Sequence, residues 1–158
     1  MEKITTCLWF DHDAEEAARF YVGLFPDSRI TEIIRSPGDY PHGKAGDVLL
    51  VLFKLGGRSF SGLNGGPNFR FSEAISMSID CADQAEVDRY WEALSAHPEN
   101  EQCGWVKDKF GLSWQIVPRA LPRLLSDPDS AKRKRVFEAM MTMKKLDVAA
   151  IERAAVQG

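Results

Sequence analysis

The hydrophobic and polar positions in the first half of the chain follow two different periods. Short runs of β-branched and aromatic residues predict strands, and Gly56-Gly57 predicts a tight hairpin turn between the last two. After the first strand, apolar side chains recur three and four residues apart behind Asp13, which forms a capping pattern with Glu16. The predicted order is strand, helix and three strands, over residues 4–10, 13–24, 30–34, 47–55 and 58–63.

The second half of the chain repeats this plan. A strand is predicted over residues 74–80, a helix behind Asp83, and two further strands over residues 104–109 and 112–117. The two helices align with an offset of 70 residues. Similar residues then match in six pairs: Asp13 with Asp83, Glu16 with Glu86, Arg19 with Arg89, Phe20 with Tyr90, Tyr21 with Trp91, and Leu24 with Leu94. This self-similarity indicates an internal repeat of one strand-helix-strands unit.

The last part of the chain has a different composition, rich in the helix-forming residues Ala, Met, Lys, Arg and Glu. Helices are predicted over residues 121–125, 130–145 and 148–156. Asp129 or Ser130 is expected to cap the second helix and Asp147 the third. The basic run at residues 132–135 is interpreted as a solvated helix face. We predict one domain with a first module at about 1–66, a second at about 72–118 and a helical tail at about 119–158.

Each repeated unit has one helix and about four strands, so its helix can cover only one face of its sheet. The other face must be buried against a partner. That partner is the other module, either within the same chain or in a second subunit, and the sequence leaves both arrangements open. A curved pair of sheets leaves a central cleft, which is a typical small-molecule site. We expect the protein to be a homodimer.

Composition narrows the possible function classes. The chain has 158 residues, of which 44% are hydrophobic and 27% charged, as expected for a single globular domain. A net charge of −3 argues against a nucleic-acid-binding domain, and no apolar run is long enough to cross a membrane. The N-terminal residues lack the pattern of a signal peptide, and the three cysteines are far apart, without a CxxC pair. We therefore expect a cytoplasmic protein with free thiols.

Specific stretches of the chain are similar to the vicinal-oxygen-chelate superfamily, which includes glyoxalase I, extradiol dioxygenases and bleomycin-resistance proteins. The similarity is greatest to its PhnB-like, or demethylubiquinone 3-methyltransferase-like, subfamily. The stretches that carry it are Leu8–Asp11, Ala14–Ala17, Phe20-Tyr21, Phe71–Ser76 and Gln102–Pro118, and it extends into the tail at Asp127–Asp129 and Met143–Lys145. The resemblance implies an α+β fold in which two βαβββ modules form an open curved sheet, here with a C-terminal helical extension.

The resemblance also implies where a metal ion would lie, because enzymes of this superfamily hold a divalent ion with His or Gln and Glu side chains from equivalent strands. In this chain those positions fall on Thr6, Ser61, Ser76 and Gln115. Hydroxyl groups are poor ligands for zinc, nickel or iron, and one amide holds little. The three histidines do not recur at the spacing of a ligand pair. We therefore expect neither a metal ion nor another cofactor.

The methyltransferase name is not supported by the residues of this chain. A Rossmann-type cofactor site needs a glycine-rich turn between a strand and a helix. The glycine-rich segment Gly62–Gly66 follows a predicted strand but leads to Pro67 and a loop. We expect Cys103 to be a buried, unreactive thiol, and we expect Asp108 to shape the turn before Gly111.

We predict a pocket whose polar groups come from the four carried-over positions. Its residues are Thr6, Ser61, Ser76 and Gln115, with Asn64 from a loop and Trp9, Phe71 and Trp105 as apolar walls. The leading hypothesis is a metal-independent protein that binds a small molecule, hydrophobic or aromatic. One alternative is an enzyme of the same superfamily with an unidentified reaction. A second alternative is a dimeric interaction module.

Overall fold

The computed structural model describes residues 2–157 and divides them into two compact units between Phe71 and Ser72. The first unit contains β1 (Thr6–Phe10), α1 (Ala14–Val22), β2 (Arg29–Arg35), β3 (Val48–Leu55) and β4 (Arg58–Asn64). The second contains β5 (Met77–Cys81), α2 (Gln84–Leu94), a 3-10 turn (Pro98–Asn100), β6 (Trp105–Lys107), β7 (Ser113–Pro118), α3 (Ala120–Leu125), α4 (Ser130–Met141) and α5 (Val148–Val156). Between residues 2 and 157, no helix has the length and apolar character needed to span a bilayer.

The first unit is a four-stranded sheet with one helix on one face. The strand order is β1-β4-β3-β2, with β1 parallel to β4 and the other pairs antiparallel. Small side chains on α1, including Ala14 and Ala17, let the helix approach the sheet closely, and Tyr21 fills the space beside them. Val51 and Phe53 are buried on the covered face. The opposite face, which we call the open face of the first sheet, carries half-buried side chains.

The N-terminus of α1 is held differently from the predicted capping pattern. Asp13 occupies the N-cap position, but within residues 2–157 its side chain accepts no capping hydrogen bond. The backbone of Asp13 has φ −113° and ψ 24°, which is not the extended conformation usual for a capping residue. Instead, the side chain of Asn64, at the end of β4, accepts a 2.9 Å hydrogen bond from the Ala14 N–H. A residue far away in sequence therefore accepts the hydrogen bond from a backbone N–H at the start of this helix.

The second unit confirms the α+β class and has the three strands that the residue pattern predicted, one fewer than the module implied by the resemblance. Its sheet has the order β5-β7-β6, so three strands are present within the described residues where a βαβββ module has four. The missing strand would follow α2, where the chain forms the 3-10 turn that begins at Pro98. Proline has no N–H to donate to a sheet. Where that strand would pair with β6, one backbone hydrogen bond is present, from the Ala96 N–H to the Lys107 carbonyl.

The tail, residues 119–157, folds as three helices with a small core of their own. Asp129 and Asp147 cap α4 and α5 through their side chains, as predicted for these helix starts. The buried core side chains are Leu121, Leu124, Val136, Leu146, Ile151 and Ala155. The predicted second tail helix is shorter than expected, since α4 ends at Met141.

Hydrogen bonds attach the tail to the rest of the second unit. Gln84, in the first turn of α2, donates to the Leu146 carbonyl (3.1 Å) and accepts from the Val148 N–H (2.8 Å). The backbone N–H groups of Cys103 and Gly104 donate to carbonyls of Met143 and Lys144. The tail is therefore part of the second unit and not a loose appendage.

The basic run in α4 is used mainly within the tail itself. Lys132 pairs with Asp127 at 2.9 Å, and Arg135 donates to the carbonyls of Ala154 and Ala155 at the end of α5. These contacts join α4 to its neighbours. They give the run a structural purpose in addition to its exposure to solvent.

Candidate functional site

The pairing of β1 with β4 places Thr6 and Ser61 on opposite faces of the first sheet. Thr6 lies beside Phe60 and Cys7 lies beside Ser61. Paired residues on neighbouring strands share a face, and successive residues alternate. Phe60 is buried on the face covered by α1, so Thr6 lies on that face and Ser61 on the open face. The prediction that Thr6 and Ser61 line one pocket is therefore wrong for Thr6.

The error comes from one extra residue between strand and helix in the first unit. The buried strand positions Leu8 and Phe10 correspond to Ile79 and Cys81, an offset of 71, whereas the two helices align with an offset of 70. Counting back from the start of α1 with the helix offset of 70 therefore selects Thr6, which is one residue away from the equivalent position on the strand. With the strand offset, Thr5 is the residue that corresponds to Ser76. It lines a surface cavity of about 440 Å³ with residues that include Lys54 and Ser59.

In the second unit, two of the predicted site residues come together. Gln115 Nε2 donates a 2.9 Å hydrogen bond to Ser76 Oγ. Gln115 also lies beside Ser78 on β5 and beside Trp105 on β6, so these side chains share one face of the sheet. That face lies opposite α2, and we call it the open face of the second sheet. A single cavity that also includes residues of the first unit stays a prediction.

The side chains at the carried-over positions do not fit a divalent metal ion. Ser61, Ser76 and Gln115 offer neutral hydroxyl and amide groups, and replacing Thr6 by Thr5 adds another hydroxyl. Such groups bind zinc, nickel and iron weakly. Throughout residues 2–157, no three His, Cys, Asp or Glu side chains are grouped so that they could hold a metal ion.

The glycine-rich loop after β4 is explained by close packing. A Cβ atom on Gly65 would lie 2.4 Å from the ring of Trp9, and Trp9 Nε1 donates to the Gly66 carbonyl at 3.0 Å. Gly66 has φ +97°, and a Cβ there would lie 2.4 Å from the His42 ring. The loop leads to Pro67 and not into a helix. These glycines therefore support the aromatic packing and do not form the phosphate-binding turn of a Rossmann fold.

Three further predicted site residues have structural contacts in the first unit. Asn64 is 6% exposed, and its amide both accepts from Ala14 N–H and donates to the Val48 carbonyl (2.9 Å). Phe71 packs edge-on against Phe10, with ring centroids 5.3 Å apart. Trp9 packs edge-on against Phe69 in the same way, at 4.9 Å. Since the amide of Asn64 is used at both ends, we do not include it in the site proposed below.

A groove of about 580 Å³ runs along the open face of the second sheet. Its sheet side includes Ser78, Asp80, Trp105, Gln115 and Val117. Its other side is made by the tail, through Leu121, Pro122, Leu125, Met140 and Met141. This volume lies within the range of small-molecule sites in proteins. The tail residues were absent from the predicted pocket. The apolar stripe of α4 was visible in the sequence, but periodicity does not show which surface a helix packs against.

The two cysteines of the second unit have different surroundings. Cys81 is fully buried, and burial raises the pKa of its thiol to about 12, so it stays protonated. Cys103 is half-buried, has a positive φ of 48°, and lines the groove. Gln102 Nε2 donates to its sulfur at 3.3 Å. The expectation that Cys103 is buried was therefore wrong.

Asp108 shapes the β6–β7 connection, as expected from the sequence. It is fully buried, and Oδ1 accepts from the backbone N–H groups of Phe110 and Leu112. Oδ2 accepts a 2.8 Å hydrogen bond from Trp114 Nε1. Trp114 faces the covered side of the sheet and Gln115 faces the groove, so Asp108 lies away from the groove. Its carboxylate organises the turn and the core.

Comparison with known proteins identifies related sequences and folds. The family model described as 3-demethylubiquinone-9 3-methyltransferase matches residues 2–117. The PhnB protein of Bacillus cereus, which is given the same family description, is 35% identical to this chain, with a TM-score of 0.62, and the match covers 74% of this chain and 99% of that one. A protein of Pseudomonas aeruginosa is similar in fold, with 18% identity, a TM-score of 0.57, and coverage of 75% and 98%. Among curated proteins, none is significantly similar to the chain.

Proposed function

The chain belongs to the family described as 3-demethylubiquinone-9 3-methyltransferase, within the PhnB-like branch of the vicinal-oxygen-chelate superfamily, and from this premise we propose that it binds a small molecule without a metal ion. The binding site is the groove on the open face of the second sheet. The proposal rests on the residues of that groove and not on the activity in the family description.

One observation carries the proposal. Gln115 and Ser76 are joined by a hydrogen bond, and Gln115 lies in a groove of about 580 Å³. Trp105, paired with Gln115 across the sheet, adds a half-buried aromatic wall. Binding sites for small molecules combine such apolar walls with a few polar groups that fix orientation. The site thus has the composition of a binding pocket for a partly apolar molecule.

The absence of a metal ion from the proposal follows from the side chains. The positions where a divalent ion would be held carry hydroxyl and amide groups, which do not fit such an ion. Elemental analysis of the purified protein tests this part. We expect far less than one zinc, nickel, iron or manganese ion per chain. One tightly bound divalent ion per chain that survives dialysis would overturn the metal-free proposal.

Thermal shift with a defined panel of compounds tests ligand binding. The panel contains two-ring aromatic compounds with neutral, anionic and cationic head groups. A compound at ten times its Kd stabilises the folded state by about 1.4 kcal/mol, which raises the Tm by roughly 3 °C for a chain of this size. If no member of the panel raises the Tm, the proposal loses its support.

A pair of matched variants tests the place of binding. Gln115→Leu keeps the size of the side chain but removes the amide from the groove. Gln157→Leu makes the same change at an exposed position of the tail. We expect the Tm shift to fall in the first variant and to stay unchanged in the second. Equal shifts in both variants would place binding elsewhere.

We further propose that the protein is a homodimer in the cytoplasm. Free cysteines at positions 7, 81 and 103 fit a reducing compartment. Large apolar side chains are exposed on both units, among them Phe69 (65% exposed) and Ile75 (58%), and such groups favour burial against a partner. Light scattering tests the dimer. A monomer at micromolar concentration would contradict it.

A further inference from the structure

The wall that the tail contributes to the groove lies outside the region that the family model matches. The family model ends at residue 117, before α3. Leu121, Leu125, Met140 and Met141 therefore lie beyond the matched residues, and they line the same groove as Gln115. The selectivity of the groove can then depend on residues that the family match does not include.

We infer that the tail makes the groove selective for a neutral ligand with an apolar body and a hydrogen-bond donor, such as a hydroxyl group, at one end. This inference rests on the proposed function, since it names the class of ligand for the same groove. It concerns the tail wall and the polar end separately, and each part has its own measurement.

The apolar body of the ligand is inferred from the tail wall. Met140 and Met141 lie next to each other at the end of α4, and both line the groove. Methionine side chains are flexible and polarizable, so they adapt to flat or irregular apolar surfaces. Trp105 lines the same groove and offers an aromatic surface. An aromatic or branched aliphatic body fits between such walls.

The hydrogen-bond donor of the ligand is inferred from the polar residues at one end of the groove. The amide NH₂ of Gln115 donates to Ser76, so the amide oxygen remains as the acceptor group of this side chain. The Ser78 hydroxyl and the Asp80 carboxylate supply further acceptors at this end. Asp80 is paired with Arg119 at 2.8 Å, so its charge is largely balanced. The polar end therefore offers acceptors without an excess charge.

An anionic ligand is disfavoured by the same residues. Among the groove residues that the structure describes, none is lysine or arginine. A carboxylate or phosphate would lie near the carboxylate of Asp80 and the amide oxygen of Gln115. The nearby Arg119 guanidinium is already paired with Asp80, so the anion would lose its hydration without an unpaired cation to bind. The groove thus selects against acidic molecules.

Three matched probes test the head group by isothermal titration calorimetry with the full chain. They are 2-naphthol, which has a donor, 2-methoxynaphthalene, which has none, and 2-naphthoate, which is anionic. Loss of one hydrogen bond predicts binding of the methoxy compound about fivefold weaker than 2-naphthol. We expect 2-naphthoate to bind at least about tenfold weaker than 2-naphthol. Binding of 2-naphthoate equal to or tighter than 2-naphthol would overturn the inference and leave the proposed function intact.

Two variants on one helix test the tail wall. Met141 and Phe137 are both 50% exposed and both lie on α4, but only Met141 of the two lines the groove. Met141→Gln is expected to weaken 2-naphthol about fivefold, through lost apolar contact. Phe137→Gln is expected to leave its Kd unchanged. Because both side chains are half exposed, neither change should unfold the protein, and circular dichroism checks this.

The outcomes separate the two claims. Weakening by Met141→Gln alone supports the tail wall. Equal binding in both variants, together with a loss in Trp105→Leu, would overturn the tail wall while supporting the groove as the site. Failure of every neutral and charged probe to bind the unmodified chain would overturn the proposed function itself.

Discussion

The first and second units follow the same strand-helix-strands plan but hold the start of their helix in different ways. In the second unit, the Asp83 side chain accepts from the Glu86 N–H at 3.0 Å, and the backbone of Asp83 is extended. In the first unit, Asn64 at the end of β4 accepts from the Ala14 N–H. The two sequences look equivalent at this point. A local capping pattern thus determines the cap only when the preceding backbone has the right conformation.

The hairpins of the two units also differ. β3 and β4 are joined by Gly56-Gly57, both with positive φ, as a two-residue turn requires. β6 and β7 are joined by a longer turn that is organised by the buried carboxylate of Asp108. The turn of the first unit forms because glycine adopts positive φ easily, whereas the turn of the second unit is held by the side chain of Asp108. Replacing single residues should therefore affect the two units unequally.

The largest expected effect is at Asp108, where Asp108→Asn replaces one carboxylate oxygen by an NH₂ group. Whichever way the amide is oriented, a donor then faces either Trp114 Nε1 or the backbone N–H groups of the turn. Because these groups are buried, we expect a loss of about 3 kcal/mol in the free energy of unfolding. Urea unfolding measures the loss, and the near-UV circular dichroism of the tryptophans should change with it.

A matched control is Asp147→Asn at the start of α5. It makes the same chemical change in the same unit, but asparagine caps a helix as well as aspartate. We expect a change of less than about 0.5 kcal/mol. Similar losses in the two variants would mean that Asp108 is not the organiser of the turn.

The second prediction compares the two helix starts directly. Asn64→Ala leaves both the Ala14 N–H and the Val48 carbonyl without the amide, so we expect a loss of about 2 kcal/mol. Asp83→Ala removes an exposed cap and should lower stability by about 1 kcal/mol. Asp13→Ala should have almost no effect. Urea unfolding of the three variants gives their order, and a larger loss for Asp13 than for Asp83 would contradict the comparison.

The third prediction concerns the tail, which only the second unit carries. Gln84→Leu removes the amide that bonds the Leu146 carbonyl and the Val148 N–H. We expect a loss of about 1 kcal/mol and faster hydrogen exchange in α5, with no change in α1. Glu92→Leu, at an exposed position of the same helix, is the control. If α5 exchanges as slowly in Gln84→Leu as in the unmodified chain, the tail core is stable without the hydrogen bonds of Gln84.

The sequence predicted the features that depend on local patterns. The α+β class, the repeat, the family, and the caps at Asp83, Asp129 and Asp147 were correct because each rests on patterns of residue types along the chain. The PhnB-like resemblance was confirmed by the family match. These features need no knowledge of how distant segments pack.

Features that depend on distant segments were predicted less well. The face of Thr6 was wrong because a single extra residue between β1 and α1 reverses the side-chain direction along the strand. The βαβββ module implied by the resemblance has a fourth strand after α2, where this chain forms a 3-10 turn that begins at Pro98. The tail wall of the groove could not be predicted, since the methionines of α4 show helical periodicity but not their partner. Ser76 and Gln115 were found because the resemblance carried the superfamily's ligand positions to these two residues.

The smallest expected effect lies in the connection between β1 and α1, which is one residue longer than its counterpart in the second unit. The connection from β1 to α1 contains His12, whereas the corresponding connection in the second unit has no histidine. His12 Nε2 donates to the His42 carbonyl at 2.8 Å, and this bond, assisted by the nearby Asp11 carboxylate, raises the pKa of His12 above its ordinary value of 6.5. A raised pKa means that folding favours the protonated imidazole. The stabilisation is therefore complete below pH 6.5 and disappears as the pH rises through the higher, folded-state pKa. His12 is exposed to solvent, so the effect on stability is small.

Proton NMR should give a pKa above 6.5 for His12 and a lower one in Asp11→Asn. The Tm should fall slightly more between about pH 6 and pH 8 in the unmodified chain than in His12→Gln. An imidazole pKa at or below 6.5 would remove this difference between the units.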